Sequence, residues 1–591
     1  MRIGSRRLSL AIVSALALGA SSLGCDEYVQ GEGAGEAHEP DPSNPAHHEV
    51  PTVGDTKSGL EGVDDAVKAW MRATCAGAVS LSVGFGAKPL LSRGYGKMEG
   101  PPSILCQDKH GADKYQDLGW VMPDTPFRIG SNSKAITAAI VRDVLKKRLA
   151  EKGRPATDDE LEGLLVFDPD LDLVSPRLRR YVMANLAVAG VACESPVDEA
   201  NGRPVVSGGK VDPRWLDITV GQLLSHRSGL TSDGNSVYRK LPELRGLVTA
   251  QDLDDAELQT GAPEEAKQAL RGARADARFV PRVTLEEYLL ANTDLCFAFD
   301  PGGQPPAGDK RRGYSNLAFG VLEHIAEHVS GDPLAAPLGW DELHGSSLLG
   351  KFMKEKLGVV YGAGSKHGIY LSQSIREQRD PSEVSYRWWD GTRIKGQVAD
   401  VKRPHCAYNH VFEAVKCNDF IAGHARFNWD WKHERVDVSY ERDAIMTGAG
   451  LFAAEMPLYQ KFMARYWVSG GPTRMYYGRE RAANPSSITV AHNGGLSGSF
   501  SAVRQFVGAD AEYRAVPRKD GELDLASLTE GTPKLKCKLP SGLNLALATN
   551  QSHDSACGDA CGIRYEALAD VVQEALCKVD WTKVSPQIAN K

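Results

Sequence analysis

The sequence predicts an α/β chain of the α+β kind, with strands toward its two ends and helices toward its middle. Three observations predict it. Val79–Phe85 and Pro89–Gly94 read as a hairpin of strands close to the start of the folded part. Ile488–Phe506 and Leu543–Thr549 read as strands close to its end, with a closing helix over Tyr565–Cys577. Between them apolar residues recur at helical spacing, as in Ile136, Ile140 and Val144, extended by Leu145 and Leu149. The chain has 591 residues, 42% hydrophobic and 25% charged, which is ordinary for a globular protein and ample for a large core. A net charge of −7 gives no support for nucleic-acid binding, and no internal repeat is visible.

Residues 1–24 read as an export signal. Arg2, Arg6 and Arg7 form a basic start, and Leu8–Leu18 is an apolar run too short to span a bilayer comfortably. Ser22-Leu23-Gly24-Cys25 resembles a bacterial lipobox, with Ser22 where leucine is usual. Cys25 is therefore the expected lipid-attachment residue, which makes a lipid-anchored protein of the cell envelope. The other reading is an ordinary signal followed by a chance cysteine. Residues 25–58, rich in Gly, Glu, Pro and His, read as a disordered tether. Ten further cysteines remain: Cys75, Cys106, Cys193, Cys296, Cys406, Cys417, Cys537, Cys557, Cys561 and Cys577. An even set in an exported chain suggests disulfides, against the alternative of buried free thiols. Cys406 with Cys417, and Cys557 with Cys561, are close enough in sequence to pair. Cys561 and Cys577 flank one expected helix and stand too far apart to bond each other.

After the tether, Asp64–Cys75 reads as a helix, followed by the hairpin. Phe127-Arg128-Ile129-Gly130-Ser131-Asn132-Ser133-Lys134 then reads as a short strand or loop ending in glycine, with a helix opening at Ser131. Lys146, Lys147 and Arg148 lie in its last turn, where cations suit the helix dipole, and Gly153 stops it. Residues three apart on a helix are neighbours, so Lys134 lies beside Ser131. A serine hydroxyl is a weak nucleophile until a base takes its proton, and an amine held neutral is such a base. The positive helix start lowers a lysine pKa and favours an oxyanion at the serine. Alone, Ser-x-x-Lys is a weak signal, and by itself it reads better as a capped surface helix.

Three further blocks follow in order. Leu223-Leu224-Ser225-His226-Arg227-Ser228-Gly229-Leu230 ends a segment that returns from Ile218. Gly313-Tyr314-Ser315-Asn316 follows the turn Phe299-Asp300-Pro301-Gly302 and precedes a helix over Leu317–His328. His492-Asn493-Gly494-Gly495-Leu496-Ser497-Gly498-Ser499-Phe500 continues a strand. In this order the four blocks resemble the serine hydrolases related to class C β-lactamases. That superfamily includes D-alanyl-D-alanine carboxypeptidases, D-aminopeptidases and β-lactamase-like esterases, and is marked by Ser-x-x-Lys, Tyr-x-Asn and a Lys/His-x-Gly triplet. The likeness runs from about Gly59 to Trp581.

The resemblance implies a β-lactamase/transpeptidase-like fold. An antiparallel sheet flanked by helices would be built from residues 59–160 and 440–581, and residues 161–439 would form a mostly helical lobe with insertions. The site would lie between the lobes, a preferred place for ligand pockets. Ala444–Tyr466 would be a glycine turn followed by a helix. The stretch from Lys134 to Tyr314 is long for a compact relative, with the excess near Val174–Asp212 and Asn235–Arg282. Ser365–Asp443 is rich in Trp and His and would line a substrate cleft or form a packed wall of the lobe.

The resemblance also implies roles. Ser131 is the nucleophile, and Lys134 and Tyr314 activate it and later the deacylating water. A tyrosine with its ordinary pKa of about 10 needs a nearby cation to act as a base. Asn316 holds Lys134 and binds substrate. The oxyanion hole comes from the amides of Ser131 and Gly495, and His492 is a further substrate-binding residue. His492 departs from the β-lactamases, which carry lysine there. A permanent cation suits a substrate carboxylate, whereas histidine is mostly neutral at pH 7.

The expectation is therefore an exported serine hydrolase cleaving carboxylic ester or amide bonds, with no cofactor and no metal. It would act as a monomer on a small-molecule or peptide substrate and meet the membrane through its lipid anchor. The alternatives are a β-lactamase or cell-wall peptidase, and a slow-turnover penicillin-binding sensor. His324-Ile-Ala-Glu327-His328 matches a zinc-peptidase pattern, but the helix that carries it directly follows Tyr-Ser-Asn, where relatives have an ordinary packing helix. There is no Gly-x-Ser-x-Gly, the mark of an α/β-hydrolase.

Overall fold

The computed structural model describes residues 49–74, 76–98, 119–186, 197–198, 203–204, 211–230, 297, 299–303, 314–335, 345–359, 368–372, 382–384, 429–430, 435–436, 447–466, 470, 487–496, 499–508, 511–524, 527–528, 532–550 and 567–584. The export segment with Cys25, the Asn235–Arg282 insertion, most of the aromatic region, and the pairs Cys406/Cys417 and Cys557/Cys561 lie outside the described residues.

Strand β1 (Thr52–Thr56) is followed by helix α1 (Glu61–Thr74) and the hairpin β2 (Ala78–Phe85) and β3 (Lys88–Gly96). The short β4 (Phe127–Arg128) leads into α2 (Ser133–Glu151). The middle of the chain supplies α3 (Val220–Leu224), α4 (Asn316–Ser330) and a short strand β5 (Ile369–Leu371). Strand β6 (Phe452–Ala454) and helix α5 (Met456–Arg465) bring the chain back. Next come β7 (Ser487–Leu496), β8 (Ser499–Gly508), β9 (Ala511–Arg514), β10 (Lys534–Cys537), β11 (Leu543–Thr549) and α6 (Ala567–Cys577).

Six strands form one antiparallel sheet in the order β1-β3-β2-β11-β8-β7. The two ends of the chain meet at β2 and β11, in register from Val79 opposite Thr549 to Phe85 opposite Leu543. Because side chains alternate along a strand, the sheet feeds two cores. Val79, Leu81, Val83, Leu545 and Leu547 face one side with α1 and α6, whose Val67, Trp70, Leu568 and Val572 join them. Ala78, Ala546, Ala548 and Val503 face the other side, against α2, α4 and α5.

Local chemistry explains the covering helices. In α1 the apolar Val63, Val67, Trp70 and Met71 recur at helical spacing and are buried. Glu61 and Asp64 sit in its first turn and Arg72 in its last, matching the helix dipole. Asp64 is also pinned to the sheet, accepting from the Tyr95 hydroxyl at 2.5 Å and from Arg93 at 3.0 Å. Helix α2 differs from a one-stripe surface helix. Ala135, Thr137, Ala138, Ala139 and Val141 are buried together with Ile136, Ile140, Val144, Leu145 and Leu149. It packs against α4 in the core that also holds the middle of the chain.

The expected tether, residues 25–58, does not reach residue 58: Thr52–Thr56 is an edge strand paired with β3 from Thr52 opposite Tyr95 to Thr56 opposite Leu91, and Val50 is buried. The strand is short and polar in sequence, and it is held by the ladder offered by β3 and by Arg93, whose guanidinium donates to the Gly54 carbonyl. A second strand absent from the sequence reading is β6, which sits between β4 and β5 in a small three-stranded sheet. One cysteine pair is described: Cys537, at the end of β10, is bonded to Cys577 at the end of α6, with Cα atoms 5.6 Å apart. No helix among the described residues is long and apolar enough to cross a membrane.

Candidate active site

Ser131 sits in a single 3₁₀ turn, Gly130–Asn132, that runs directly into α2. The turn replaces the expected opening of the α-helix at Ser131. Gly130 has φ +52°, a conformation that favours glycine, and it turns the chain out of β4. The turn is held on all sides. The Ile129 amide donates to the Phe452 carbonyl at 2.9 Å and the Phe452 amide to Ser133 Oγ at 3.1 Å. Tyr459 Oη donates to the Asn132 carbonyl at 2.9 Å. Asn132 Nδ2 donates to Ser501 Oγ, and Ser501 Oγ donates to the Ile129 carbonyl, both at 2.7 Å.

Strand β7 touches this turn backbone to backbone. A Cβ on Gly494 would lie 1.9 Å from the Ile129 carbonyl oxygen, and a Cβ on Gly130 would lie 2.7 Å from the Gly495 nitrogen. The Gly495 amide is thus beside the turn that carries Ser131, while a Cβ on Gly495 itself would meet nothing within 4 Å.

Lys134 and Tyr314 converge on Ser131. Lys134 Nζ is 3.2 Å from Ser131 Oγ, and Tyr314 Oη donates to the same oxygen at 2.7 Å. Lys134 Nζ also donates to Asn316 Oδ1 at 2.8 Å and to the Ala449 carbonyl at 2.5 Å, and lies 4.7 Å from the Tyr314 ring centroid. Burial holds the Lys134 pKa well below the ordinary lysine value, because the cation is stripped of water. The Ala449 carbonyl is aimed by its neighbour Gly448, whose amide donates to Glu323 Oε2 and whose carbonyl accepts from Thr137 Oγ1, both at 2.8 Å.

Tyr314 and Asn316 flank the start of α4. Ser315 caps that helix, its Oγ accepting from the Ala318 amide at 3.0 Å. The Ser315 amide donates to Nδ1 of buried His226, whose ring stacks on Tyr314 with centroids 4.5 Å apart. His492, buried on β7, has its pKa pushed well below the ordinary histidine value, first by burial and then by Lys134, His226 and Arg504. Arg504, across the ladder on β8, donates to Asn493 Oδ1 at 2.9 Å.

The structure therefore brings Ser131, Lys134, Tyr314 and Asn316 into one hydrogen-bonded group, sets Gly495 beside the serine turn, and buries His492 within electrostatic reach of Lys134. The sequence reading gave no role to Ala449, Glu323, Ser501 or His226. Of these only His226 lay in a quoted motif. The His324–Glu327–His328 side chains serve the packing of α4. His324 Nε2 accepts from the Ser175 amide at 3.3 Å, His328 Nε2 lies 3.6 Å from Asp172, and Glu327 Oε1 accepts from the Leu334 amide at 2.8 Å.

Residues 64–339 match the family model described as Beta-lactamase. No curated protein matches the chain by sequence. Among solved structures, an octameric penicillin-binding protein homologue from Pyrococcus abyssi is 14% identical, with a TM-score of 0.40, covering 90% of this chain and 80% of its own. A D-amino acid amidase from Ochrobactrum anthropi SV3 is 14% identical, with a TM-score of 0.38, and coverages of 87% and 98%. A family VIII carboxylesterase is 13% identical, with a TM-score of 0.37, and coverages of 89% and 100%.

Proposed function

We propose that this chain, whose residues 64–339 match the family model described as Beta-lactamase, is a serine hydrolase that cleaves carboxylic ester or amide bonds through an acyl-enzyme on Ser131. The observation that carries the reading is the convergence of Lys134 and Tyr314 on Ser131 Oγ. A neutral lysine amine has two N–H groups and one lone pair. The carbonyls of Asn316 and Ala449 take the two hydrogens, which turns the lone pair toward Ser131 Oγ. Burial lowers the Lys134 pKa well below the ordinary lysine value, which favours this neutral form. The Ser131 proton passes to the Lys134–Tyr314 pair as Oγ bonds to the substrate carbonyl carbon. The oxyanion is met by the Ser131 and Gly495 amides. The proton then goes to the leaving alcohol or amine as the carbonyl–leaving-group bond breaks. In the second half the same pair takes a proton from water, the hydroxide attacks the acyl carbon, and the proton returns to Ser131 as the acid departs.

His492 supports ester and neutral amide substrates over carboxylate-bearing ones. Its side chain is buried and neutral, so it offers no permanent charge to a substrate carboxylate. The second reading, a β-lactamase or a peptidase acting on D-alanyl-D-alanine, is favoured by the match of residues 64–339 to the family model described as Beta-lactamase. Comparing hydrolysis of short p-nitrophenyl esters, D-amino-acid amides and nitrocefin decides between them. Nitrocefin as the best substrate would overturn the first reading. We also propose export and lipid attachment at Cys25, on the basic start, the apolar run and the Ser22–Cys25 pattern.

A further inference from the structure

His226 is a buried group that the mechanism above leaves unused. It lies within the Leu223–Leu230 block just after α3 and has φ +56°, a backbone conformation uncommon outside glycine and a few residues such as asparagine, aspartate and histidine. Two contacts join it to the catalytic strip. Its ring lies nearly parallel to that of Tyr314, at 25° with centroids 4.5 Å apart, and Phe319 packs on it 5.2 Å away. Its Nδ1 accepts the Ser315 amide hydrogen at 3.1 Å. An imidazole that accepts through Nδ1 carries its proton on Nε2 when neutral. One ring therefore fixes both the plane of the Tyr314 phenol and the backbone between Tyr314 and Asn316, while Ser315 Oγ locks the same residue onto α4.

We infer that His226 is a positioning residue: it acts through Tyr314, holding the phenol hydroxyl on Ser131 Oγ by stacking and by anchoring the Ser315 amide. The inference rests on the Ser131–Tyr314 reading of the site. Among the described residues the ionisable groups facing the ring are Tyr314, Lys134 and His492, and burial together with Lys134 keeps its pKa well below the ordinary histidine value, so the anchor does not titrate near neutrality. Protonation of Nδ1 would turn the acceptor into a donor facing the Ser315 amide and break the anchor.

The test is a double-mutant cycle with p-nitrophenyl acetate, normalised to sites titrated by a fluorophosphonate probe. His226→Asn keeps an acceptor and tolerates positive φ but removes the stacked ring, whereas His226→Phe keeps a ring and removes the acceptor. A misplacement of about 1 Å costs roughly a hundredfold in rate, so each variant is expected to lower kcat about 10- to 100-fold with KM little changed. In a Tyr314→Phe background the same substitutions should cost less than about threefold, because the group through which they act is gone. Thermal unfolding of each variant checks that the sites compared are folded. Wild-type kcat in folded His226→Asn and His226→Phe overturns the inference. So does an equal loss with and without Tyr314, which marks a purely structural role. A Tyr314→Phe variant that keeps wild-type kcat instead overturns the underlying reading of the site, and the inference falls with it.

Discussion

A Cβ on Gly494 would stand 1.9 Å from the Ile129 carbonyl oxygen, so strand β7 and the Ser131 turn meet with no room for a side chain. That contact sets the spacing between the Ser131 turn and the Gly495 amide. The obstructing atom is backbone, which cannot rotate away as a flexible side chain can.

Gly494→Ala is accordingly expected to push β7 from the turn. Overpacking of this kind costs about 1–3 kcal/mol of stability, and the shift should lower the rate of fluorophosphonate labelling about a hundredfold. Gly495→Ala, which meets nothing within 4 Å, should leave the melting temperature unchanged. Equal melting temperatures and labelling rates for Gly494→Ala and wild type would show that the contact does not set the site.

Lys134 gives a pH signature. Its folded pKa is depressed, so between that value and the unfolded value of about 10.4 the unfolded chain binds one proton more than the folded chain. Stability supplied at this position therefore rises with pH across that window. The stability of Lys134→Met relative to wild type should fall as pH is raised from 7 toward 10, whatever its starting offset. Denaturant unfolding at several pH values measures this. A flat difference means that Lys134 is charged in the folded protein.

His492→Lys should raise the ratio of kcat/KM for nitrocefin to that for a neutral p-nitrophenyl ester. A charge-assisted hydrogen bond to the substrate carboxylate contributes roughly 1.5–3 kcal/mol, or about tenfold or more. The new cation would also stand near Lys134 and Arg504, so absolute rates depend on that repulsion as well. A ratio that stays level or falls removes position 492 from carboxylate recognition.

On the proposed lipid attachment at Cys25, Cys25→Ser should move the protein from the membrane fraction to a soluble one, because stable anchoring needs two acyl chains and the variant would have no site for them. A variant that stays with membranes after a salt wash is held by something else.

What could be read from the sequence follows from locality. Ser131 and Lys134 are three residues apart, so helical geometry alone made them neighbours. Tyr314 and Asn316 needed the resemblance, since nothing local says that position 314 folds back over 183 residues onto Ser131. The Ala449 carbonyl was invisible because every residue has one. Glu323 and Ser501 act on backbone groups far away in sequence, and such contacts leave no pattern. The three-residue strand β6 is shorter than any periodicity, and β1 is polar enough to pass for a linker. Helix α2 showed its Ile136–Ile140–Val144 stripe, but its small residues Ala135, Ala138 and Ala139 gave no sign that the other faces are buried too.

The central claim is an acyl-enzyme on Ser131, and intact-mass analysis of fluorophosphonate-treated protein, followed by peptide mapping, tests it most directly. A single adduct on the peptide containing Ser131, absent in Ser131→Ala and slowed by orders of magnitude in Lys134→Ala, is the predicted result. Undiminished labelling of a folded Ser131→Ala variant, with the adduct on another serine, would contradict it.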